Sequence, residues 1–307
     1  MKVTAISGGV GAAKLLVGLG RALGGPGLTA VVNTGDDDSI YGLHVSPDVD
    51  IVTYWLAGVA DTDRGWGVAD DTFEVVEGLR ELGHDAWFNL GDRDLATCLF
   101  RTLLLRDGAR LSEVTGRIGA SLDLIPVVLP MTDDTVRTRL VCADGRELAF
   151  QEYFVRERQE PEVRAVRFDG ADAARPAPGV LEEIAAAEIV VVCPSNPLVS
   201  IGPVLAVPGI RAALAAHPFV VAVSPIVAGR ALKGPADRML ASTGGEASAS
   251  GVAALYADFC DHFVVDASDA AERARVEALG ISCTVLDTIM RDGSTSERLA
   301  RDLLALR

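Results

Sequence analysis

No stretch of the 307 residues offers the ~18 consecutive apolar side chains that an ordinary membrane-spanning helix needs. The first apolar stretch, Met1-Lys2-Val3-Thr4-Ala5-Ile6-Ser7, runs straight into glycines and is too short for a signal peptide, so a cytoplasmic location is expected. Cysteine is sparse. Cys98, Cys142, Cys193, Cys260 and Cys283 are odd in number, widely spaced and never in a CxxC pair, which excludes a zinc knuckle or a disulfide framework. The four histidines, His44, His84, His217 and His262, lack metal-ligand spacing and read as ordinary loop or helix residues. Positive charge is short as well: 28 Lys and Arg against 43 Asp and Glu leave a net charge of −15. That balance argues against nucleic acid or an anionic membrane as partner. It leaves room for a small phosphorylated ligand, because one metal ion supplies local positive charge. There is no internal repeat and no low-complexity tract.

What is present suits a globular enzyme. Hydrophobic residues make up 49% of the chain, enough to bury a sizeable core. Short apolar runs of strand length occur at Val3–Ile6, Thr29–Val32, Ile189–Cys193 and Phe219–Val223, with weaker ones at Phe263–Val265 and Cys283–Leu286. Helical patterns fall between them at Ala12–Leu23, Ile51–Ala57, Asp71–Leu82 and Asp92–Leu105. In the last, Leu95, Cys98, Leu99, Thr102 and Leu103 make an apolar stripe. Runs buried on both faces and separated by helices indicate a parallel sheet covered by helices. Between Val136 and Phe168 the pattern changes to alternation, with Asp144-Gly145 as a hairpin signal. The expectation is a single α/β domain over 1–307 with an antiparallel or helical insertion at about 131–178.

Polar turns follow several of these strands. Ser7-Gly8-Gly9-Val10-Gly11-Ala12-Ala13-Lys14 can bring backbone close to a phosphate at a helix N-terminus, but it lacks the Walker ending, and Lys14 stands where a dinucleotide fingerprint has its third glycine. A plain strand-to-helix turn fits it too. Asn33-Thr34-Gly35-Asp36-Asp37-Asp38 puts three carboxylates at a strand's carboxyl end, where they suit Mg²⁺ or a solvated acidic loop. Ser46-Pro47-Asp48-Val49-Asp50 precedes a helix that either Asp could cap. Gly65-Trp66-Gly67 is an aromatic loop whose Trp66 suits a planar ring or core cover. Leu90-Gly91-Asp92-Arg93-Asp94 follows a short strand at Trp87-Phe88, and Arg93 reads by default as a local ion-pair partner. Pro194-Ser195-Asn196-Pro197 and Ser224-Pro225-Ile226 are rigid polar turns after strands. No Gly-x-Ser-x-Gly elbow surrounds either serine, so a serine nucleophile is not expected.

As a set, these segments resemble the 2-phospho-L-lactate transferase family of deazaflavin coenzyme F-420 biosynthesis. The resemblance also takes in Trp87-Phe88-Asn89-Leu90-Gly91-Asp92-Arg93-Asp94-Leu95-Ala96-Thr97 and Phe150-Gln151-Glu152-Tyr153, and runs in order through most of the chain. It implies a Rossmann-like core and a Mg²⁺-dependent transfer from a guanosine diphosphate carrying lactate or enolpyruvate. The acceptor would be the terminal ribityl hydroxyl of the deazaflavin Fo, the leaving group GMP, and the assembly a homodimer. By resemblance Asp48 is the acidic residue at the Fo site, which also takes Trp66, Asn89, Asp92 and Arg93. Asn89 stands where archaeal members often carry a basic residue. The nucleotide side takes Gly9, Gly11, Lys14, Asn33, Ser195, Asn196, Pro197 and Ser224. Asp36 and Asp37 are metal candidates, and Asp48 is the group expected to orient or deprotonate the attacking hydroxyl. Three alternatives are a nucleotide-sugar-binding protein of the gluconeogenesis-factor branch, a nicotinamide oxidoreductase, and a pure interaction protein, the last of which would not need so many polar turns in one crevice. The first tends to carry Gly-Gly-Ser after the acidic turn, where this chain reads Asp38-Ser39-Ile40-Tyr41-Gly42. The second wants an acidic residue at the end of the second strand, where Asn33 stands.

Overall fold

A computed structural model describes residues 1–307. Its strands are, in chain order, β1 Val3–Ser7, β2 Leu28–Val32, β3 Asp38–Ile40, β4 Leu43–Val45, β5 Val127–Pro130, β6 Arg137–Cys142, β7 Glu147–Ala149, β8 Val163–Asp169, β9 Ile189–Val192, β10 Val220–Val223, β11 Ile226–Val227, β12 Arg230–Ala231, β13 His262–Asp266 and β14 Ser282–Leu286. The apolar runs build one seven-stranded sheet in the order β14-β13-β10-β9-β1-β2-β5, and every pairing in it is parallel. Alternate side chains enter two separate cores. Ile6, Val31, Val190 and Val192 join one, and Val3, Ala5, Ala30 and Val191 join the other. Burial on both faces is why these strands read as continuous apolar runs.

The alternating middle segment forms its own three-stranded antiparallel sheet, β7-β6-β8, with Asp144-Gly145 at the β6–β7 turn. The chain grows outward in opposite directions from β1: towards β2 and β5 on one side, towards β9 and then β10 on the other. In such a sheet the ligand crevice opens above the carboxyl ends of the strands at the point of reversal. The ends that flank it are Ser7-Gly8-Gly9 and Cys193-Pro194-Ser195.

Five helices bear on the site: α1 Gly9–Leu23, α2 Pro47–Ala57, α3 Glu74–Glu81, α4 Asp92–Arg106 and α5 Leu111–Ser121. Three local expectations are corrected. First, α1 begins at Gly9, so the glycine segment is its first turn. Second, α2 begins at Pro47, which puts Asp48 and Asp50 inside its first turn, neither of them capping it. Third, Trp87-Phe88 belongs to no sheet; the Tyr41 hydroxyl accepts from the Phe88 N–H at 3.0 Å and donates to the Phe88 carbonyl at 2.5 Å, replacing a strand partner.

The stripe on α4 is also different from the expected one. Its buried face is Asp94, Cys98 and Arg101, whereas Leu99, Phe100 and Leu103 face outward. Arg101 is fully buried and lies against Asp50 of α2, so an ion pair rather than apolar packing joins the two helices there.

Candidate active site

At the switch point two turns meet. The Ser195 hydroxyl donates to the Gly8 carbonyl at 2.8 Å. A Cβ on Gly11 would come within 2.5 Å of the Pro194 carbonyl, so only glycine lets α1 start this close to the Pro-Ser-Asn-Pro turn. Gly8 serves the acidic side in the same way: a Cβ there would stand 2.6 Å from Asp48 Oδ2 and 3.2 Å from the Asn33 side chain.

Asn33 follows β2 and organises the carboxylates around it. Its Nδ2 donates to Asp48 Oδ2 at 2.9 Å and to Asp36 Oδ1 at 3.0 Å, while its Oδ1 accepts from the Gly35 N–H at 2.7 Å. The second oxygen of Asp36 accepts from Gln151 Nε2 at 3.0 Å, so the inserted segment reaches the turn after β2 through this glutamine. Asp37 turns the other way. Its Oδ2 accepts from the Ser46 hydroxyl at 2.7 Å and pairs with His44 Nε2 at 2.9 Å, and its Oδ1 is buried without a partner.

All three carboxylates are almost completely withdrawn from solvent. Burial is the largest influence on each of two of them. It holds Asp36 well above the usual carboxylate range, with the Asp48 and Asp37 charges adding to the effect. It pushes Asp48 up to about 6 against the stabilising Asn33 hydrogen bond, and Asp37 raises it further. A buried carboxyl poised near neutrality, beside a phosphate-compatible turn, suits proton transfer.

Behind α2 lies a second acidic group. Asp50, Asp94 and Cys98 bring potential ligand atoms within 4.8 Å of one another. Arg101 fills that space, donating to Asp50 and, through Nη1, to the His44 carbonyl at 3.3 Å, so the group is neutralised from within. Burial and the Asp50 charge raise Asp94 to about 7, while the Tyr54 hydroxyl donates to it at 2.9 Å.

The remaining expected residues are distributed as follows. Lys14 Nζ donates to the Met290 carbonyl at 3.2 Å. Asn196 Oδ1 accepts from the Leu198 N–H at 2.9 Å, with Pro197 opening the helical turn it caps. The Ser224 hydroxyl donates to the Ile226 carbonyl at 2.9 Å. Half-buried Trp66 meets Phe73 edge-on with ring centroids 6.3 Å apart, and the Arg64 guanidinium lies 5.3 Å from its ring. Asp92 is tied to the start of α3, accepting from Thr72 Oγ1 at 2.6 Å and from the Glu74 and Val75 N–H groups at 3.1 Å. Arg93 makes no ion pair with its neighbours, contrary to its default reading; its Nη1 donates to the Ala69 carbonyl at 3.2 Å. Exposed Asn89 accepts from Arg80 at 2.6 Å. Thus Asn33 gathers Asp36 and Asp48, and Asp37 beside them is held by Ser46 and His44, whereas Asn89 and Asp92 are tied to the two ends of α3 and Arg93 to the Ala69 carbonyl.

Sequence reading missed Arg101, Gln151, His44 and Ser46. For Arg101 a signal existed: Asp94, Cys98 and Arg101 repeat at spacings of four and three, which places them on one helical face.

A model of the family described as 2-phospho-L-lactate transferase CofD matches residues 3–296. The chain is 44% identical to a phosphoenolpyruvate transferase of Kitasatospora aureofaciens, over all of this chain and 98% of that one. It is 40% identical to a 2-phospho-L-lactate transferase of Methanosarcina mazei over 96% of each chain, and 40% identical to one of Methanopyrus kandleri over 100% and 97%. Two crystal structures of a Bacillus halodurans protein, one titled a member of the UPF0052 family, share the fold at 18% and 17% identity. Their TM-scores are 0.70 and 0.67, with 99% of this chain and 99% and 98% of those chains covered. By full-length similarity, the chain belongs to the 2-phospho-L-lactate transferase family and is a transferase.

Proposed function

We propose that this protein transfers a phospholactyl or phosphoenolpyruvyl group from a guanosine diphosphate-activated donor to the terminal ribityl hydroxyl of the deazaflavin Fo, in coenzyme F-420 biosynthesis. The acceptor oxygen forms a bond to the phosphorus that carries the lactate or enolpyruvate. The bond from that phosphorus to the bridging oxygen breaks, and GMP leaves with the bridging oxygen. The hydroxyl proton passes to a base. The observation that carries this reading is Asp48, a buried carboxyl near pKa 6 held by Asn33 beside the first turn of α1. Asp48 orients the hydroxyl and takes its proton. The nucleotide lies along Gly9, Gly11 and the Pro194–Pro197 turn, where phosphate faces the N-terminus of α1.

Mg²⁺ fits the donor set. Asp36 and Asp37 are oxygen ligands of the kind it prefers, and the buried, unpartnered Oδ1 of Asp37 is otherwise costly. When bound, the ion would neutralise charge on the transferring phosphate and the leaving group. In the same reading Trp66, Asn89, Asp92 and Arg93 line the approach of the acceptor. The protein acts in the cytoplasm as a homodimer; Leu99, Phe100 and Leu103, each 40–43% exposed on α4, offer an apolar face for the second copy. Incubation with Mg²⁺, Fo and the guanosine diphosphate-linked donor, followed by mass spectrometry, should show a phosphodiester of Fo and an equal amount of GMP. Donor hydrolysis without capture by Fo would refute the acceptor assignment.

A further inference from the structure

The chain has three lysines, Lys2, Lys14 and Lys233; Lys14 Nζ donates to the Met290 carbonyl, and Lys233 Nζ lies beside Gly65 of the aromatic loop. Lys14 lies one turn along α1 from Val10, on the same face. A Cβ on Gly65 would stand 3.3 Å from Val10 and 3.2 Å from Lys233 Nζ, so Gly65 of the aromatic loop sits between the start of α1 and the Lys233 ammonium. Lys233 follows the short antiparallel pair β11–β12, and the adjacent Gly234 packs against Phe154, three residues beyond the Gln151 that holds Asp36. Neither Lys14 nor Lys233 has an ion-pair partner, although the chain carries a surplus of 15 negative charges. Burial lowers the pKa of Lys14, and the Lys233 charge lowers it further, so the two ammonium groups repel each other across this gap.

Two neighbouring lysines that make no ion pair suit a multivalent anion. Resting on the guanosine diphosphate-donor reading above, we propose that Lys233 is delivered over the start of α1 to close a two-lysine clamp with Lys14 on the donor's phosphate groups. The clamp requires only that phosphate oxygens reach both ammonium groups, so a nucleoside diphosphate and free pyrophosphate share the chemistry.

Calorimetry on the full chain at fixed Mg²⁺, titrating GDP, pyrophosphate and guanosine, tests the assignment. Lys233→Ala should weaken GDP and pyrophosphate by roughly 10-fold or more, as expected for loss of a charge-assisted contact. Guanosine binding should not change, and Lys233→Arg should keep most of the affinity. Because Lys233 is exposed, the variant should unfold at the wild-type denaturant midpoint. Wild-type affinity for GDP and pyrophosphate in Lys233→Ala would overturn the clamp and leave the donor reading standing, as would an equal loss for guanosine. Lys233-dependent pyrophosphate binding with no added affinity for GDP would support the clamp and remove the guanosine assignment. Failure of the wild type to bind either phosphate ligand would remove both.

Discussion

Asn33 Nδ2 donates to Asp48 at 2.9 Å and to Asp36 at 3.0 Å, so a single neutral amide holds two buried carboxylates that would otherwise repel each other. Its position after β2 explains why the residue there is not acidic. A carboxylate would add a further negative charge where two hydrogen-bond donors are needed.

Replacing this amide is therefore expected to cost more than its surface suggests. Asn33→Leu removes both donors and should destabilise the protein by about 1–3 kcal/mol in urea denaturation. Asn33→Asp keeps the shape but adds charge, and should raise the Asp48 titration above its native value of about 6. Carbon-13 NMR of the side-chain carboxyls would register that shift. An unmoved Asp48 resonance would show that the bridge is not electrostatically important.

Arg101 offers a second test, since it is completely buried and pairs with Asp50. Arg101→Met should destabilise the fold by about 3–5 kcal/mol, because it leaves an uncompensated buried charge. Adding Asp50→Asn to the same chain should recover much of the loss. Denaturant midpoints of the single and double variants read this directly; strict additivity would exclude the coupling.

Asp94 predicts a pH dependence of stability. Burial, then the Asp50 charge, raises its folded pKa to about 7, above the unfolded value of about 3.9. Between those values the folded state binds the extra proton, so this group's contribution falls as pH rises from about 4 to about 7 and is level above that. Asp94→Asn keeps an acceptor for Tyr54 and removes the ionisation. Its stability relative to wild type should therefore climb across that interval and plateau by pH 8. A difference independent of pH would contradict the assignment.

The parallel sheet and the inserted hairpin were legible in the sequence because burial on both faces and burial on one face leave different periodicities. The four residues Asn33, Asp36, Asp37 and Asp48 were legible because they follow strands or open helices at the crevice. The buried face of α4 was not. The expected stripe of Leu95, Cys98, Leu99, Thr102 and Leu103 shares only Cys98 with the buried face, and the tertiary pairing of Arg101 with Asp50 turns Asp94 inward in place of Leu99 and Leu103. The partners His44 and Gln151 were invisible for a similar reason: each reaches Asp37 or Asp36 from a different element, and no local spacing records such a contact. Trp87-Phe88 carried a strand-like composition, but a tyrosine hydroxyl takes up its backbone groups instead of a neighbouring strand.

The central claim is that Asp48 activates the acceptor, and the direct measurement compares Fo consumption by Asp48→Asn and Asp50→Asn at saturating Mg²⁺. Asp48→Asn should keep the fold and the GDP affinity, and lower turnover by roughly 10²–10⁴-fold, the range for a positioned acid–base group. Asp50→Asn leaves the buried Arg101 charge without its partner and should cost stability, but at a temperature where both variants remain folded it should lower turnover less than Asp48→Asn does. Full activity in Asp48→Asn with loss in Asp50→Asn would contradict the account and move the role to the other carboxylate.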